Sequence, residues 1–419
     1  MIDTLQRGAF DYFPRVTQPH NGLVADTSRL GSAASIAVVG FALSAYPVAV
    51  SRGWIARDAA VQLCLRVLQF FARSDQTGST ASSGYRGFYF HFLDLESGLR
   101  AGQCELSSID TALLIMGMLT AAAFFDASTP AETELRQLAE DLYQRVDWRW
   151  AQPSGAAVPL GWKPECGFLN YDWQGYNEAM VLYALGLGST TYPLTRAGFK
   201  DWTATYQWEH LYGRDFLYAG PLFVHQFSHA WIDFRGIRDR FMREKDCDYF
   251  ENSCRAVAVQ REYSIRNPRS FNGYGEDCWG LSAGDGPDAG PQPVAGRRQV
   301  FAGYASRGVP WGPDDGTING ASCVASLVFA PELALKALRR MYERTPDGGG
   351  RSVRASGFNA TAGDPGTGGW ISQGEFGLDQ GMIVLMIENF RSGLLWSLVR
   401  GIPCVARGLT EAGFTGGWL

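Results

Sequence analysis

Apolar residues recur at three- and four-residue spacing along most of this chain. That period predicts helices over 2–14, 32–51, 56–73, 108–125, 131–146, 176–187, 223–240, 246–267, 318–328, 331–343, 380–391 and 393–400. Strand-like alternation is confined to 86–93. Many helices fall in pairs joined by short turns such as Ser51-Arg-Gly53 and Asp126-Ala-Ser-Thr-Pro130, where Ser or Thr can cap a helix and Pro can occupy its first turn. The expected class is therefore all-α, and six helical hairpins set as a double ring is the closed arrangement natural to that count. No linker or composition break divides the chain, so a single domain over 1–419 is expected.

Four long Gly/Pro-rich segments interrupt the helices, at 74–107, 147–175, 269–317 and 344–379. They hold Trp, Asp and Glu rather than only Ser and Gly, so they read as walls of a cleft, with 284–309 and 347–369 the most mobile parts. With 46% hydrophobic and 19% charged residues, the chain buries a sizeable core and is not disordered. A net charge of −5 and scattered Arg residues leave no basic face for a phosphate backbone, which excludes nucleic acid as an expected partner. The apolar runs Ile109–Phe125 and Ser32–Val50 contain Asp110 and Pro47 respectively and read as buried helices, not membrane spans. Met1-Ile-Asp-Thr-Leu-Gln-Arg7 lacks a basic stretch followed by an apolar core. The expectation is a cytoplasmic protein, or a periplasmic one whose export signal has been removed. The eight cysteines form no CxxC pair and read as small buried hydrophobes.

Chemistry concentrates in Tyr171-Asp-Trp-Gln-Gly-Tyr-Asn-Glu178, where three aromatic rings and two amides precede a carboxylate at the head of an apolar helix. Rings that stack on sugar faces, amides that bind hydroxyls and an acid that delivers a proton suit carbohydrate chemistry. Glycoside hydrolysis needs a carboxylic acid and a second carboxylate as base or nucleophile. Glu178 reads as the acid, or as a carboxylate that only complements a helix dipole. Asp379, before Gln-Gly-Met-Ile, has the look of an N-cap as well as of a base. Glu105 and Asp110 flank the start of the third long helix, where Ser107 and Asp110 fit a capping box, yet both acids would face a cleft at the helix mouth. Asp285, Asp314 and Asp315 lie in loops, and solvated turns account for at least two of the three. His225 and His229, four apart on an expected helix, could face one metal. Gln226 stands where a zinc protease has its glutamate and no third ligand is evident, so sugar binding or a core role is expected and no metal or cofactor is called. Stacking candidates are Trp173, Tyr176, Trp231, Trp279, Trp311 and Trp370, with Trp231 the one most exposed to a core reading.

A set of motifs spanning nearly the whole chain carries a resemblance: Gly40-Phe-Ala-Leu-Ser-Ala-Tyr46, Gly87-Phe-Tyr-Phe-His-Phe-Leu93, Glu105-Leu-Ser-Ser-Ile-Asp-Thr111, Gly175-Tyr-Asn-Glu178, His225-Gln-Phe-Ser-His229, Ile232-Asp-Phe-Arg-Gly236, Tyr274-Gly-Glu-Asp-Cys-Trp-Gly-Leu281, Asp314-Asp-Gly-Thr317, Leu378-Asp-Gln-Gly381 and Ile387-Glu-Asn-Phe-Arg-Ser-Gly393. The set resembles the glycoamylase-like domain of glycoside hydrolase family 144, the bacterial β-1,2-glucanases, and the related transglycosylation domain of cyclic β-1,2-glucan synthases. The resemblance implies an (α/α)6 toroid and a β-1,2-linked glucan or oligosaccharide as substrate. The favoured reading is inverting hydrolysis with Glu178 as acid and Asp379, which the resemblance makes a plausible base, and the sugar-binding candidates are Asp172, Trp173, Tyr176, Asn177, His225, His229, Trp279, Trp311, Asp315 and Trp370, with Glu105 and Asp110. The transglycosylase relatives make a retaining transfer by Glu178 and Glu276 the alternative. A sugar-binding protein without catalysis is a third reading, and a lyase is disfavoured for want of a basic cluster. The default oligomeric state is a monomer.

Overall fold

The computed structural model describes residues 1–294, 297–344, 351–362 and 369–419, and helices joined by strands of two to five residues form its frame. The most apolar segments are innermost: Ile36–Ser51, Ser108–Phe124, Met180–Gly188 and Gly377–Arg391 are buried nearly all round, the fate of helices that carry no polar face. Arg57–Arg73 and Pro130–Arg145 are amphipathic. They turn Leu68, Phe71, Leu135 and Leu142 inward against this centre and against each other.

Glycine sets the closest helix crossings. A Cβ on Gly40 would lie 2.3 Å from the Leu113 carbonyl oxygen, and one on Gly117 would lie 2.1 Å from that of Gly40. Gly188 and Gly408 make the same kind of contact between Met180–Gly188 and Pro403–Glu411, at 2.0 Å from the Cys404 oxygen and 1.7 Å from the Ala184 oxygen. Gly40→Ala is therefore expected to force two backbones apart and cost about 1–3 kcal/mol, the scale of core overpacking. A lowered urea midpoint would show this, and an unchanged midpoint would mean that the two helices slide freely.

The helix ends follow capping chemistry. Ser35, Ser107, Thr129, Asp248 and Asn319 each accept a hydrogen bond from a backbone N–H of the first turn they precede. Both apolar runs expected to be buried helices are so. Pro47 lies inside the first of them. No single helix among the described residues is long and apolar enough to cross a membrane. Gly377–Arg391 with Leu394–Arg400 passes that test only as a pair bent by 88°.

Several expected elements differ. The 2–14 helix breaks at Asp11 into Ile2–Phe10 and Tyr12–Val16. The 176–187 helix starts only at Met180. Across 223–240 there are two short 3₁₀ turns, Leu222–His225 and Ser228–Ala230, then irregular chain and the short strand Ile237–Arg238, and an α-helix starts only at Arg240. Most side chains there are buried on every side, so their apolar spacing imitates a helical period without being one. Arg196–Thr203 and Pro403–Glu411 were not legible as helices.

A five-stranded antiparallel sheet, in the order Gly84–Tyr85, Phe88–Phe90, Leu106–Ser107, Gly161–Lys163, Gly167–Phe168, ties the 74–107 loop to the 147–175 loop. The segment 284–309, expected to be mobile, holds the strand pair Gly290–Val294 and Arg297–Phe301. Much of 347–369 lies outside the described residues.

Candidate active site

Because several central helices begin on the same side of the molecule, their first turns line one cavity of about 750 Å³. Asp110 and Leu113 come from Ser108–Phe124, Ala321 and Ser322 from Gly320–Ala325, and Asp379 and Met382 from Gly377–Arg391. Glu178, His91, Glu105 and Trp173 enter from the loops, as do Asp26, Asp285 and Tyr304.

Glu178 stands in the turn just before Met180–Gly188. Asn177 builds that turn: its Oδ1 accepts from the Ala179 N–H at 3.1 Å, and its Nδ2 donates to the Gln174 and Gly175 carbonyls, both at 3.1 Å. Ser228 Oγ donates to the Glu178 carbonyl oxygen at 3.2 Å. The backbone is thus held on both sides while the carboxyl faces the cavity. Burial, assisted by the nearby Asp110, pushes this carboxyl from an ordinary 4.5 up to about 7.

Asp379 is not an N-cap. The cap position belongs to Phe376, and Asp379 sits in the first turn, where Asn319 Nδ2 donates to its Oδ1 at 3.0 Å. Its Oδ2 is buried without a hydrogen-bond partner. An acceptor left open in this way aims at something the chain itself does not supply. Burial is the main cause that raises this carboxyl to about 6, with Asp26 adding to it and the Asn319 amide and nearby Ser356 hydroxyl opposing it. The cap of one central helix thereby fixes the acid of another, since Asn319 Oδ1 also accepts from the Ser322 N–H at 3.2 Å.

Between these two acids lies a third group of charges. His91 Nδ1 is 2.9 Å from Glu105 Oε1, and its Nε2 is 3.5 Å from Asp110 Oδ2. Burial pulls the imidazole down, but Asp110, Glu105 and Asp26 more than offset it and lift it to about 9. The ring is therefore an imidazolium at neutral pH, stacked on Phe92 at 4.0 Å. The capping box Ser107–Asp110 is present: Ser107 Oγ accepts from the Asp110 N–H at 3.1 Å and donates to Asp110 Oδ2 at 2.5 Å. Asp110 nonetheless lines the cavity, so it caps and faces the site at once. Asp26 was not foreseen. It lies in a short polar stretch without periodic signal, and its carbonyl accepts from the Gly377 N–H at 2.8 Å, which brings it beside the Asp379 helix. Burial raises its carboxyl to about 6 against the opposing pull of His91.

Of the candidates read from sequence, the cavity gathers Glu178, Asp379, Glu105, Asp110, Asp285 and Trp173, whose Nε1 donates to Ser108 Oγ at 3.0 Å. The others stand elsewhere. Glu276 is 67% exposed at its side chain and pairs with Arg261, outside the cavity. Asp315 is locked to Arg307 by two hydrogen bonds of 2.7 and 2.8 Å and serves as an internal ion pair. Asp314 accepts from Tyr263 and Tyr274, both at 2.7 Å, and Asp285 accepts from Ser372 and Arg29, so none of the three loop aspartates is a solvated turn.

His225 and His229 fall on separate 3₁₀ turns, bonded to the Ala219 carbonyl and to Ser253 Oγ. Burial pushes them down to about 4 and about 3, which leaves them as neutral core histidines. Tyr176 stacks on Tyr249 in the core, Trp279 is fully buried, and Trp231 is core with its Nε1 on Ser44 Oγ. Asp172 is exposed and, with Trp311 and Trp370, lies outside the cavity lining. Sequence offered the correct residue types in these cases but no direction for the side chains.

The Glycoamylase family model matches residues 170–403, more than half of the chain. The chain belongs to the Glycoamylase family. This agrees with the glycoamylase-like resemblance carried by the motifs, and the matched span contains Glu178 and Asp379 while Asp26, His91, Glu105 and Asp110 precede it. A curated relative, the exo β-1,2-glucooligosaccharide sophorohydrolase (non-reducing end) of Parabacteroides distasonis, is 26% identical over 98% of this chain. The chain spans 57% of that protein's length. Among solved structures, the endo-β-1,2-glucanase from Chitinophaga pinensis, in complex with sophorotriose and glucose, is 25% identical with a TM-score of 0.86, covering 100% of this chain and 98% of that one. The β-1,2-glucanase from Parabacteroides distasonis shares the fold at 24% identity and a TM-score of 0.84, over 98% of this chain and 59% of that one.

Proposed function

We propose that this member of the Glycoamylase family is a glycoside hydrolase that cleaves β-1,2-linked glucan or gluco-oligosaccharides, built as one (α/α)6 domain over 1–419. One observation carries the reading. Two carboxyls, Glu178 and Asp379, face a single cavity with their proton affinities raised into the neutral range and no cation bonded to either among the described residues. Structural carboxylates are ordinarily paired, and their affinities fall, as at Asp315 beside Arg307. The relatives named for β-1,2-glucan or its oligosaccharides support the substrate class.

The chemistry follows from the two environments. Glu178, protonated near neutrality, gives its proton to the glycosidic oxygen as that bond breaks. Asp379, ionised slightly below neutrality, uses its unpartnered Oδ2 to take a proton from the water that attacks the anomeric carbon. Attack opposite the leaving group inverts the β-linkage to an α-product. His91 keeps Glu105 ionised and in place as a hydrogen-bond acceptor for sugar hydroxyls. The retaining alternative through Glu276 loses support from that residue's exposure and its pairing with Arg261. A lyase acting on uronates is disfavoured by a cavity that contains Asp26, Glu105, Asp110, Glu178, Asp285 and Asp379.

The decisive experiment follows the anomeric form of new reducing ends by NMR with linear β-1,2-glucan as substrate. New α-ends support inversion. β-ends would move the assignment to a retaining pair, and no cleavage of linear or cyclic glucan would end the hydrolase reading. The pH dependence is a second check. kcat/KM is expected to rise as Asp379 loses its proton at about 6 and to fall as Glu178 loses its own at about 7, giving a narrow bell between the two. Asp26 titrates in the same window, so the acidic limb belongs to the coupled pair. A profile flat from acid to alkali would contradict both roles.

A further inference from the structure

The main cavity has a neighbour. A groove of about 700 Å³ lies alongside it, and both are lined by Thr27 and Arg29. Arg29 forms the partition between them. Its Nη2 donates to Asp285 Oδ2, which also accepts from Ser372 Oγ at 2.7 Å, and its guanidinium lies 5.4 Å from the centre of the Phe376 ring. Phe376 is stacked in turn on Tyr304, with ring centres 6.0 Å apart and planes at 21°. Gly374 leaves room for the arrangement, since a Cβ there would approach Arg29 Nε to 3.1 Å. Arg29, Phe376 and Tyr304 thus form a layered wall across one end of the cavity. Beyond it, the groove presents Arg15, Gln18, Ser28, Ser32, Asp94 and Glu96, a set of donors and acceptors suited to sugar hydroxyls.

We propose that Arg29 is a specificity-determining residue: its bridge to Asp285 closes this end of the cavity, and the groove behind it takes the glucosyl units of a chain that runs further. The inference rests on the reading of the main cavity as a β-1,2-glucan site. The wall is built to yield. The Arg29 side chain is 47% exposed against 11% for Asp285, so the guanidinium end of the pair stands in solvent, where salt screens it and Arg29 can swing away. A short oligosaccharide fills the cavity with the bridge intact. A long chain that lies across both spaces must break it, so the bridge limits the length of product held on that side.

The test compares wild type with Arg29→Ala and Arg29→Lys on linear β-1,2-glucan and on its tetrasaccharide, with initial rates and early product lengths read by chromatography. Arg29→Ala is expected to lengthen the early products. It should also raise the ratio of the polymer rate to the tetrasaccharide rate by about fivefold, the scale of one half-exposed ion pair. Lys, which keeps the charge but not the planar contact with Phe376, should fall between. Salt at about 1 M should move wild type in the same direction without any substitution, which guards against a variant that folds poorly. Unchanged product lengths and an unchanged ratio, in Arg29→Ala and in high salt, overturn the gate while an active wild type leaves the hydrolase reading intact. A wild type inactive on both substrates overturns the hydrolase reading and the gate together.

Discussion

Glu178→Gln is expected to lower kcat on linear β-1,2-glucan by about 10²- to 10⁴-fold, the range spanned by general acid catalysis, with KM changed little. The amide is nearly isosteric and leaves in place the turn that Asn177 and Ser228 hold from the backbone side. The same substitution should make the protein more stable above neutrality, and this separates a catalytic carboxyl from a structural one. In the folded chain Glu178 holds its proton up to about 7 and in the unfolded chain only to its ordinary 4.5. Its favourable contribution is therefore complete below pH 4.5 and is lost as pH rises through 7. At pH 8 the ionised, enclosed carboxylate costs roughly 3 kcal/mol, given about 1.4 kcal/mol for each pH unit of displacement. Glu178→Gln removes that cost. Denaturation at pH 4 and pH 8 should show little difference between the proteins at the lower pH and a stabilised variant at the higher. If the carboxylate served the helix dipole instead, the variant would be the weaker protein at pH 8.

Asp379→Asn is expected to reduce kcat by a similar factor of about 10²- to 10⁴-fold while KM stays within a small multiple of wild type. Asn can still accept from Asn319 Nδ2 through its own Oδ1, so the side chain keeps its orientation. What changes is the second position. The buried Oδ2, an acceptor without a partner, becomes an NH₂ group that cannot take a proton from water. The residual activity should also show an altered acidic limb of the pH profile near 6, because one member of the coupled Asp26–Asp379 pair is gone. A loss of less than tenfold with that limb unaltered would reduce Asp379 to a positioning residue and direct attention to Asp26, whose carboxyl lies in the same range.

The stability gain expected at Glu178 and the open acceptor at Asp379 express one physical situation. Each acid is enclosed enough to disfavour its charge, and each lacks the cation that would ordinarily compensate. Asp315 shows the contrast within the same molecule: it is buried as well, but Arg307 grips both of its oxygens and lowers its proton affinity despite that burial. Burial alone does not mark a functional acid. Burial without a partner, at the mouth of a cavity, does.

Composition and period were enough for the helical class and for the innermost segments, because a helix apolar on every side has nowhere to go but the centre; Ile36–Ser51 and Ser108–Phe124 are the plain cases. Local pattern also gave the caps at Ser107 and in the Asp126–Pro130 turn, where Thr129 caps the next helix, since a side chain that bonds the next turn needs only its neighbours. It singled out Glu178 and Asp379 by residue type and by their place before apolar helices. Local pattern could not give direction. Tyr176, two residues before Glu178, turns into the core against Tyr249, whereas Trp173 reaches the cavity. Asp379 resembled a cap until the start of its helix was fixed at Gly377. His225 and His229 lost their shared face when fully buried chain folded as turns. Asp26 and Arg29 carry no periodic signal and the alternation around His91 marks only a strand; they join the site only because the turn before one central helix and a strand pair before another are brought against Gly377–Arg391 and Ser108–Phe124. The sequence by itself determined the helical class and which segments must be buried, because those properties depend on near neighbours and on the preference of apolar side chains for a dry environment. Only the tertiary structure decided which acids share a cavity and which are paired, because desolvation and Coulomb interaction depend on distances between residues far apart in the chain.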